Sequence, residues 1–208
     1  MLLPERFMPR DEIETASAEL LQNALAQDLW QGEAPVPVEL LAEGLRGLQF
    51  DWVALTAGDP QTTLLGALHA GHRKIYLNES QRALFDQTPG LERFTIAHEL
   101  GHFDLHVDRA QQHQALLGVV DLTADVLCRD GDRRPREFQA DLFGAALLMP
   151  EDLLRRHAAS ASTRNWPTLY RLRDRFGVSV TAMKNRLRDL GYEVPSDPER
   201  EVRVRIWP

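Results

Sequence analysis

The residues best suited to chemistry lie in one short segment, His98-Glu99-Leu100-Gly101-His102. If the segment is helical, His98 and His102 lie one turn apart on one face, where both imidazoles can bind a single zinc ion. Glu99 lies beside them, near enough to deprotonate a water molecule that the metal activates. Gly101 costs about 1 kcal/mol relative to alanine inside a helix, which indicates that another element packs closely on it. The segment predicts a metal-dependent hydrolase; the alternative is a surface helix with two histidines that meet by chance.

A tetrahedral zinc site with a position left for water needs a third protein ligand. His106 continues the row of histidines, but a straight helix places it about 12 Å from His98, too far to bind the same ion. We therefore interpret His106 as a packed or cleft-lining residue. Glu137 is the better candidate, because it begins an apolar helical segment, 137–150, whose small residues permit close packing on the first helix. Asp141, one turn later, can accept the remaining N–H of a ligating histidine; the alternative role for Glu137 is a favourable contact with its helix N-terminus.

The composition is typical of a globular intracellular protein. The chain has 208 residues, of which 43% are hydrophobic, and its apolar runs are too short to cross a bilayer. The N-terminus lacks the pattern of a secretory signal and Cys128 is the single cysteine, which together predict a cytoplasmic protein. The net charge of −7 argues against binding to DNA by bulk electrostatics, although residues 164–208 alone carry +4.

Hydrophobic periodicity predicts the elements that position these residues. We expect a helix over 11–31, a short helix over Val38–Leu45, a strand over Leu48–Val53, and a hairpin with arms Leu64–Leu68 and Lys74–Leu77, followed by a helix capped by Asn78 or Ser80. Residues 104–136 show no clear pattern and are expected to include a mobile flap beside the site, and residues 201–207 alternate like a closing strand.

Two segments of the chain resemble the ImmA/IrrE family of zinc metallopeptidases. One is Arg93–His102 followed by Leu105-His106, and the other is the Glu-x-x-Ala-Asp segment that begins at Glu137 and ends at Met149-Pro150. Residues 75–78 resemble the family's edge strand before the motif. The resemblance covers roughly residues 35–155, with Gly144 standing where the family usually has alanine. It implies an α+β fold, in which a mainly helical zincin-like core carries a small antiparallel sheet.

The resemblance also implies a site and a function. Zinc, or alternatively manganese, would be bound by His98, His102 and Glu137, and Glu99 would be the general base. The protein would be a bacterial or phage regulatory protease that cleaves a helix-turn-helix repressor of XRE-like type and so releases its genes in a stress or mobile-element circuit. Candidates for supporting the oxyanion, or for contacting the substrate, are His69, His72, Tyr76 and His106. The Lys74–Leu77 arm could bind an extended substrate by strand addition.

The C-terminal segment reads as two short helices within 169–192, joined at Gly177-Val178-Ser179, with Ser179 or Thr181 as the cap of the second. It resembles a helix-turn-helix, so we divide the chain into a peptidase domain, 1–160, and a C-terminal segment, 161–208. Packing or substrate docking is favoured over DNA binding, although four basic residues could contact phosphates: Arg175, Lys184, Arg186 and Arg188. Two other classes remain open: a DNA-binding or antitoxin-like regulator with a non-catalytic metal site, and an adaptor that senses zinc or redox state through Cys128.

Overall fold

The computed structural model describes residues 3, 6–56, 63–108, 126–128, 135–159 and 162–196, with the backbone alone described for 126–128. The helices in these ranges are α1 (Arg10–Ala26), α2 (Val38–Arg46), α3 (Arg82–Gln87), α4 (Leu91–His106), α5 (Pro135–Leu148), α6 (Glu151–Ala158), α7 (Trp166–Phe176) and α8 (Val180–Asp189). The strands are β1 (Gln49–Val53), β2 (Gly66–His69), β3 (Lys74–Asn78) and β4 (Val126–Cys128), and a 3₁₀ turn spans Glu79–Gln81. None of these helices is long and apolar enough to span a membrane.

Helix α4 is the central element of the fold. Its residues Thr95 and Glu99 face β2, whereas Ala97 and Gly101 face α5. Helix α1 in turn packs on α5. Because α4 has neighbours on several sides, twelve of its residues are buried, as expected of a helix inside a core rather than on a surface. The α+β fold class predicted from the sequence is confirmed, with α4 and α5 between the sheet and α1.

The sheet has the order β1-β3-β2-β4. Strands β2 and β3 form the predicted antiparallel hairpin, with Leu68 opposite Ile75, and β4 pairs antiparallel with β2. Strand β1 pairs in parallel with β3, so the sheet is mixed rather than purely antiparallel. Both edges of β3 are therefore occupied, and the expectation that Lys74–Leu77 could bind a substrate by strand addition is wrong. Alternation of side chains predicts a strand but does not identify its partners, which is why the sequence missed this pairing.

Helix α1 ends earlier than the periodicity predicts, at Ala26 rather than near residue 31. Asp28 adopts a left-handed conformation with φ of 55°. The amide of Leu29 donates to Ala24 O at 2.9 Å and that of Asp28 to Leu25 O at 3.2 Å, which is the pattern of a Schellman C-terminus. The helix therefore ends at an aspartate in the position usually taken by glycine. The apolar residues after Asp28 continue the helical spacing in the sequence, but they are not part of the helix.

At each of the two predicted helix starts, the first of the two candidate residues makes a capping hydrogen bond, although α3 itself follows Gln81 with no side-chain cap. The Asn78 side chain accepts a hydrogen bond from the Ser80 amide at 3.0 Å, at the start of the 3₁₀ turn that leads into α3. The Ser179 hydroxyl accepts one from the Ala182 amide at 3.1 Å, at the start of α8. In both cases a side-chain oxygen satisfies a backbone N–H that has no partner within the helix.

The C-terminal helices α7 and α8 lie close to the predicted ranges. The Arg186 side chain is only 1% exposed; its Nη2 lies 2.8 Å from Glu14 Oε2 on α1 and its Nε donates to Met149 O at 3.0 Å. Lys184 is also buried, against the Trp166 ring. The expectation that Lys184 and Arg186 could contact phosphates is therefore wrong, because both side chains are used in packing. The division of the chain at residue 160 stays a prediction, and both the closing strand and most of the flap fall outside the described residues.

Candidate metal centre

Helix α4 presents His98, Glu99 and His102 from inside the core, where each is 1% exposed. Two glycines set how closely α5 approaches these residues. A Cβ at Gly101 would lie 3.1 Å from Ala140 O, and a Cβ at Gly144 would lie 3.3 Å from His98 N. The close packing predicted at Gly101 is confirmed, and Gly144 makes the matching approach from the other helix.

Ligand atoms of three side chains converge where the two helices cross. His98 Nε2 lies 3.0 Å from His102 Nε2; His98 Nε2 lies 3.2 Å from Glu137 Oε2, and His102 Nε2 lies 3.2 Å from Glu137 Oε1. A tetrahedral zinc ion with bonds of about 2.0 Å separates its ligand atoms by about 3.3 Å. The separation of the two nitrogens, and that of each nitrogen from its nearer Glu137 oxygen, are close to that value. The His98, His102 and Glu137 side chains therefore fit the divalent ion that the sequence predicts. Their role as ligands stays a prediction.

Asp141 lies one turn after Glu137 on α5 and contacts the first histidine. Its Oδ1 is 2.8 Å from His98 Nδ1. If Nδ1 carries the proton and donates to this carboxylate, the lone pair of Nε2 is directed at the point where the three ligand atoms meet. The structure therefore places Asp141 where the sequence analysis expects the partner of a ligating histidine.

His106 is buried on the next turn of α4, behind His102. Its Nδ1 lies 3.0 Å from His102 Nδ1, and its Nε2 lies 2.9 Å from Gln139 Oε1. These contacts agree with the interpretation of His106 as a packed residue. Sequence reasoning missed Gln139, although a buried polar residue two positions after Glu137 on an apolar helix is itself a signal of a hydrogen-bond partner.

The ionisation of the cluster follows from burial and close contacts. Burial acts to lower the pKa of His98, but the contacts with Asp141 and Glu137 outweigh it and raise that pKa to about 9. Burial lowers the pKa of His102, and burial together with neighbouring His102 lowers the pKa of His106 to about 4. Burial would raise the pKa of Glu137, yet the two imidazoles hold it well below its usual range.

Near pH 7 the metal-free cluster therefore combines a protonated His98 with an ionised Glu137, whereas His102 and His106 are neutral. A divalent cation can bind to this set by displacing the proton of His98, because the remaining donors are already in the form that a metal requires.

The carboxylate of Glu99 lies beside strand β2. A Cβ at Gly66 would be 3.2 Å from Glu99 Oε1 and 2.6 Å from Thr95 Cγ2. Only glycine, which has no side chain, leaves room here for the Glu99 carboxylate. The absence of a side chain at Gly66 therefore allows β2 to pack closely against α4 at this point. The sequence gives no warning of this contact, because it joins residues that are 33 positions apart.

The other residues suggested for the oxyanion lie on the hairpin. His72 stacks on His69 at the turn, with ring centroids 4.0 Å apart, and the His72 amide donates to His69 Nδ1 at 3.2 Å. Tyr76 is half-buried in the middle of β3, and its backbone carbonyl approaches Gly66. The roles of His72 and Tyr76 towards an oxyanion remain predictions. His106 does not suit that role, because its two ring nitrogens already contact His102 and Gln139.

The core is zincin-like: two buried histidines lie one helical turn apart, with Glu99 beside them and the Glu137 carboxylate opposite them on a crossing helix. The chain belongs to the IrrE N-terminal-like domain family, Peptidase M78, which matches residues 56–188. The predicted membership of the ImmA/IrrE family is thereby confirmed.

No curated protein matches the chain. A solved structure of a Mycobacterium tuberculosis transcriptional regulator is similar to it with a TM-score of 0.46 and 19% identity, over 86% of this chain and 52% of that one. This chain therefore spans about half the length of that regulator.

Proposed function

We propose that this protein is a zinc-dependent endopeptidase that cleaves a helix-turn-helix transcriptional repressor. The observation that carries the proposal is the convergence of His98 Nε2, His102 Nε2 and the Glu137 carboxylate at mutual distances of 3.0–3.2 Å, with Glu99 on the same helix. Membership of a metallopeptidase family supports it. A purely structural metal site would not require an acid in the position of Glu99.

The donor set favours zinc. Two imidazoles and one carboxylate are a common ligand set of catalytic zinc, whereas manganese prefers a larger share of oxygen ligands and is the second choice. When bound, zinc polarises the scissile carbonyl and makes a water molecule acidic enough to be deprotonated near neutral pH. Asp141 orients His98 by accepting from its Nδ1, and Glu137 supplies the negative charge that the cation needs.

Glu99 is the proton carrier in this proposal. Its carboxylate accepts a proton from the attacking water and delivers that proton to the leaving amine once the peptide bond breaks. The walls formed by β2 and α4 keep Glu99 almost fully buried, so the exchange takes place with little competition from bulk solvent.

A protein substrate is preferred to DNA as the partner. The chain carries a net charge of −7, and Lys184 and Arg186 of the helix-turn-helix-like segment are buried in packing. An XRE-like repressor is the substrate class that the family resemblance implies, which would make the protein an anti-repressor in a cytoplasmic stress or mobile-element circuit. Specific duplex binding with steep salt dependence and no cleavage would instead favour the regulator with a non-catalytic metal site.

The experiment combines the purified protein with XRE-like helix-turn-helix repressors from the same genome, in zinc, in manganese or with a chelator, and identifies fragments by mass spectrometry. We expect one discrete cleavage in the presence of metal and none with the chelator. The matched control is Glu99→Gln, which should bind zinc but leave the repressor intact. Cleavage by Glu99→Gln at the wild-type rate would exclude the mechanism.

A further inference from the structure

A chain of hydrogen-bonding groups runs from the second histidine of the site to the N-terminal segment. His102 Nδ1 lies 3.0 Å from His106 Nδ1, and His106 Nε2 lies 2.9 Å from Gln139 Oε1. Gln139 Nε2 then donates to the backbone carbonyl of Arg6 at 2.9 Å. His102, His106 and Gln139 are at most 4% exposed, so these side chains depend on one another rather than on water.

The Arg6 carbonyl fixes which group donates and which accepts in each of these hydrogen bonds. A backbone carbonyl can only accept, so the Gln139 amide nitrogen faces Arg6 and its Oε1 faces His106. Oε1 can only accept, so His106 carries its proton on Nε2 and offers a lone pair at Nδ1. His102 must then donate from Nδ1. This tautomer of a neutral His102 is the one that leaves Nε2 free to bind a metal.

The other tautomer of His106 is disfavoured by burial. A proton on His106 Nδ1 would face the proton on His102 Nδ1 and would leave Gln139 Oε1 opposite a bare nitrogen. Two N–H groups pointing at each other in a dry interior lose their hydrogen bond and also repel. To avoid this repulsion, His102 would have to carry its proton on Nε2 instead, and that proton would block the metal site.

A second part of the N-terminal segment, Leu3, also contacts helices α4 and α5. The Leu3 amide donates to His106 O at 2.7 Å, and Arg136 Nη2 donates to Leu3 O at 2.5 Å. These bonds join the start of the chain to the end of α4 and to the first turn of α5.

We propose that His106 and Gln139 are positioning residues for the metal site: they hold His102 in the tautomer protonated at Nδ1, with the Arg6 carbonyl fixing the direction of the chain. Asp141 does the same for His98, so each histidine has its own partner. The inference rests on the proposed function, because it assumes that His98, His102 and Glu137 bind zinc.

The test measures zinc affinity of the full-length protein by competition with a chromophoric chelator. His106→Phe keeps the ring volume but removes the acceptor, and should weaken zinc binding by about 10–100-fold. His106→Asn places an oxygen near the position of Nδ1 and should restore affinity to within about threefold of wild type. The control is His157→Phe, since His157 contacts Phe176 and Glu33 away from the site; it should bind zinc like wild type.

Two further measurements separate positioning from a structural role. Circular dichroism and thermal unfolding without metal establish that each variant is folded; if His106→Phe is not, Gln139→Leu decides, with an expected loss of at least about fivefold. Nitrogen-15 spectra of the zinc-loaded wild type should show His106 protonated at Nε2 and not at Nδ1.

The outcomes are distinguishable. A wild-type protein that binds no zinc removes the metal site and this inference together. A wild-type protein that binds zinc, with folded His106→Phe or Gln139→Leu binding equally well, overturns the positioning role alone. Signals showing His106 protonated at Nδ1 in the zinc-loaded protein would overturn it as well.

Discussion

Gly101 on α4 lies directly against the backbone of Ala140 on α5. A Cβ at position 101 would come within 3.1 Å of the Ala140 carbonyl oxygen and within 3.2 Å of its Cα. Since backbone atoms of a helix cannot move aside as a flexible side chain can, this contact sets the separation of the two helices at the site. Glu137 reaches the histidines of α4 because of that separation.

Substitution of Gly101 by alanine should therefore destabilise the protein, although helix propensity alone predicts that it would stabilise it. Glycine to alanine in a helix interior is normally stabilising by about 1 kcal/mol, but we expect Gly101→Ala to lower the free energy of unfolding and to weaken zinc binding. Gly44→Ala in α2 is the control, because its new Cβ meets the flexible end of the Leu29 side chain. Denaturant unfolding and zinc titration measure both effects. A Gly101→Ala variant that gains stability and keeps its zinc affinity would contradict the account.

Asp141 should contribute to metal affinity without contacting the metal. Replacement by leucine removes the acceptor 2.8 Å from His98 Nδ1 and is expected to weaken zinc binding by about 10–100-fold. Asp141→Asn retains an acceptor oxygen and should lose less. Chelator competition gives the affinities, and equal binding by wild type and Asp141→Leu would show that His98 needs no such partner.

The metal-free protein should lose stability as the pH rises from about 6.5 to about 9. The pKa of His98 is raised to about 9 in the folded state, so its charged form stabilises the fold below the ordinary value of 6.5, and this contribution is lost as the pH passes through 9. The difference corresponds to roughly 3 kcal/mol at most. Urea unfolding in a chelating buffer measures it, with His98→Gln as the variant in which the dependence should disappear.

Zinc binding should show the opposite dependence on pH. Because the ion displaces the proton of His98, affinity should rise between pH 6.5 and 9, with about one proton released per ion near pH 7.5. Calorimetry in buffers of different ionisation enthalpy counts the protons. Zinc binding without proton release would show that His98 is already neutral in the metal-free protein.

Gly66 should matter to turnover more than to metal binding. The Cβ of Gly66→Ala would press on Glu99 Oε1 and on Thr95 Cγ2, so we expect at least a tenfold fall in kcat, of the order that small misplacements of catalytic groups produce. Zinc affinity should change little, since the metal ligands are elsewhere. Adding Thr95→Ser removes the methyl group that the new Cβ meets at 2.6 Å and should restore thermal stability. The double variant keeps the Cβ that presses on Glu99, so its kcat should stay low. Full recovery of kcat would show that this Cβ does not disturb Glu99.

The ion pair between Arg186 and Glu14 should join the C-terminal helices to the rest of the fold. Glu14→Gln leaves the Arg186 guanidinium, 1% exposed, without its anion. We expect a loss of roughly 2–3 kcal/mol, less than the cost of breaking a fully buried pair because Glu14 is a quarter exposed. Glu12→Gln, in an exposed pair with Arg6, is the control and should leave the unfolding midpoint unchanged. Two separate unfolding transitions would instead support the division of the chain at residue 160.

Local patterns predicted most of the helices and the core of the site. The spacing of His98, Glu99 and His102 is a property of a single helix, and Glu137 and Asp141 share a face of the next described helix, so short-range periodicity identified each set. That the two sets meet followed from the small, apolar residues of segment 137–150 and from the family resemblance. Ser179 and Asn78 were likewise found from short-range patterns, since capping depends on residues two or three positions away.

Other contacts between distant segments have no comparable signal in the sequence. The parallel pairing of β1 with β3, the approach of Gly66 to Glu99 and the hydrogen bond from Gln139 to Arg6 O each join residues more than twenty positions apart. The basic residues of α8 were misread because a solvated guanidinium and one buried against Glu14 have the same sequence pattern. Asp28 ends α1 through a backbone conformation that aspartate adopts only when its surroundings favour it.

The most direct test of the central claim is anomalous diffraction at the zinc edge from crystals of the zinc-loaded protein. We predict a single strong peak within about 2.2 Å of His98 Nε2, His102 Nε2 and a carboxylate oxygen of Glu137. A peak bound to other residues, or one that Glu137 does not approach, would contradict the account.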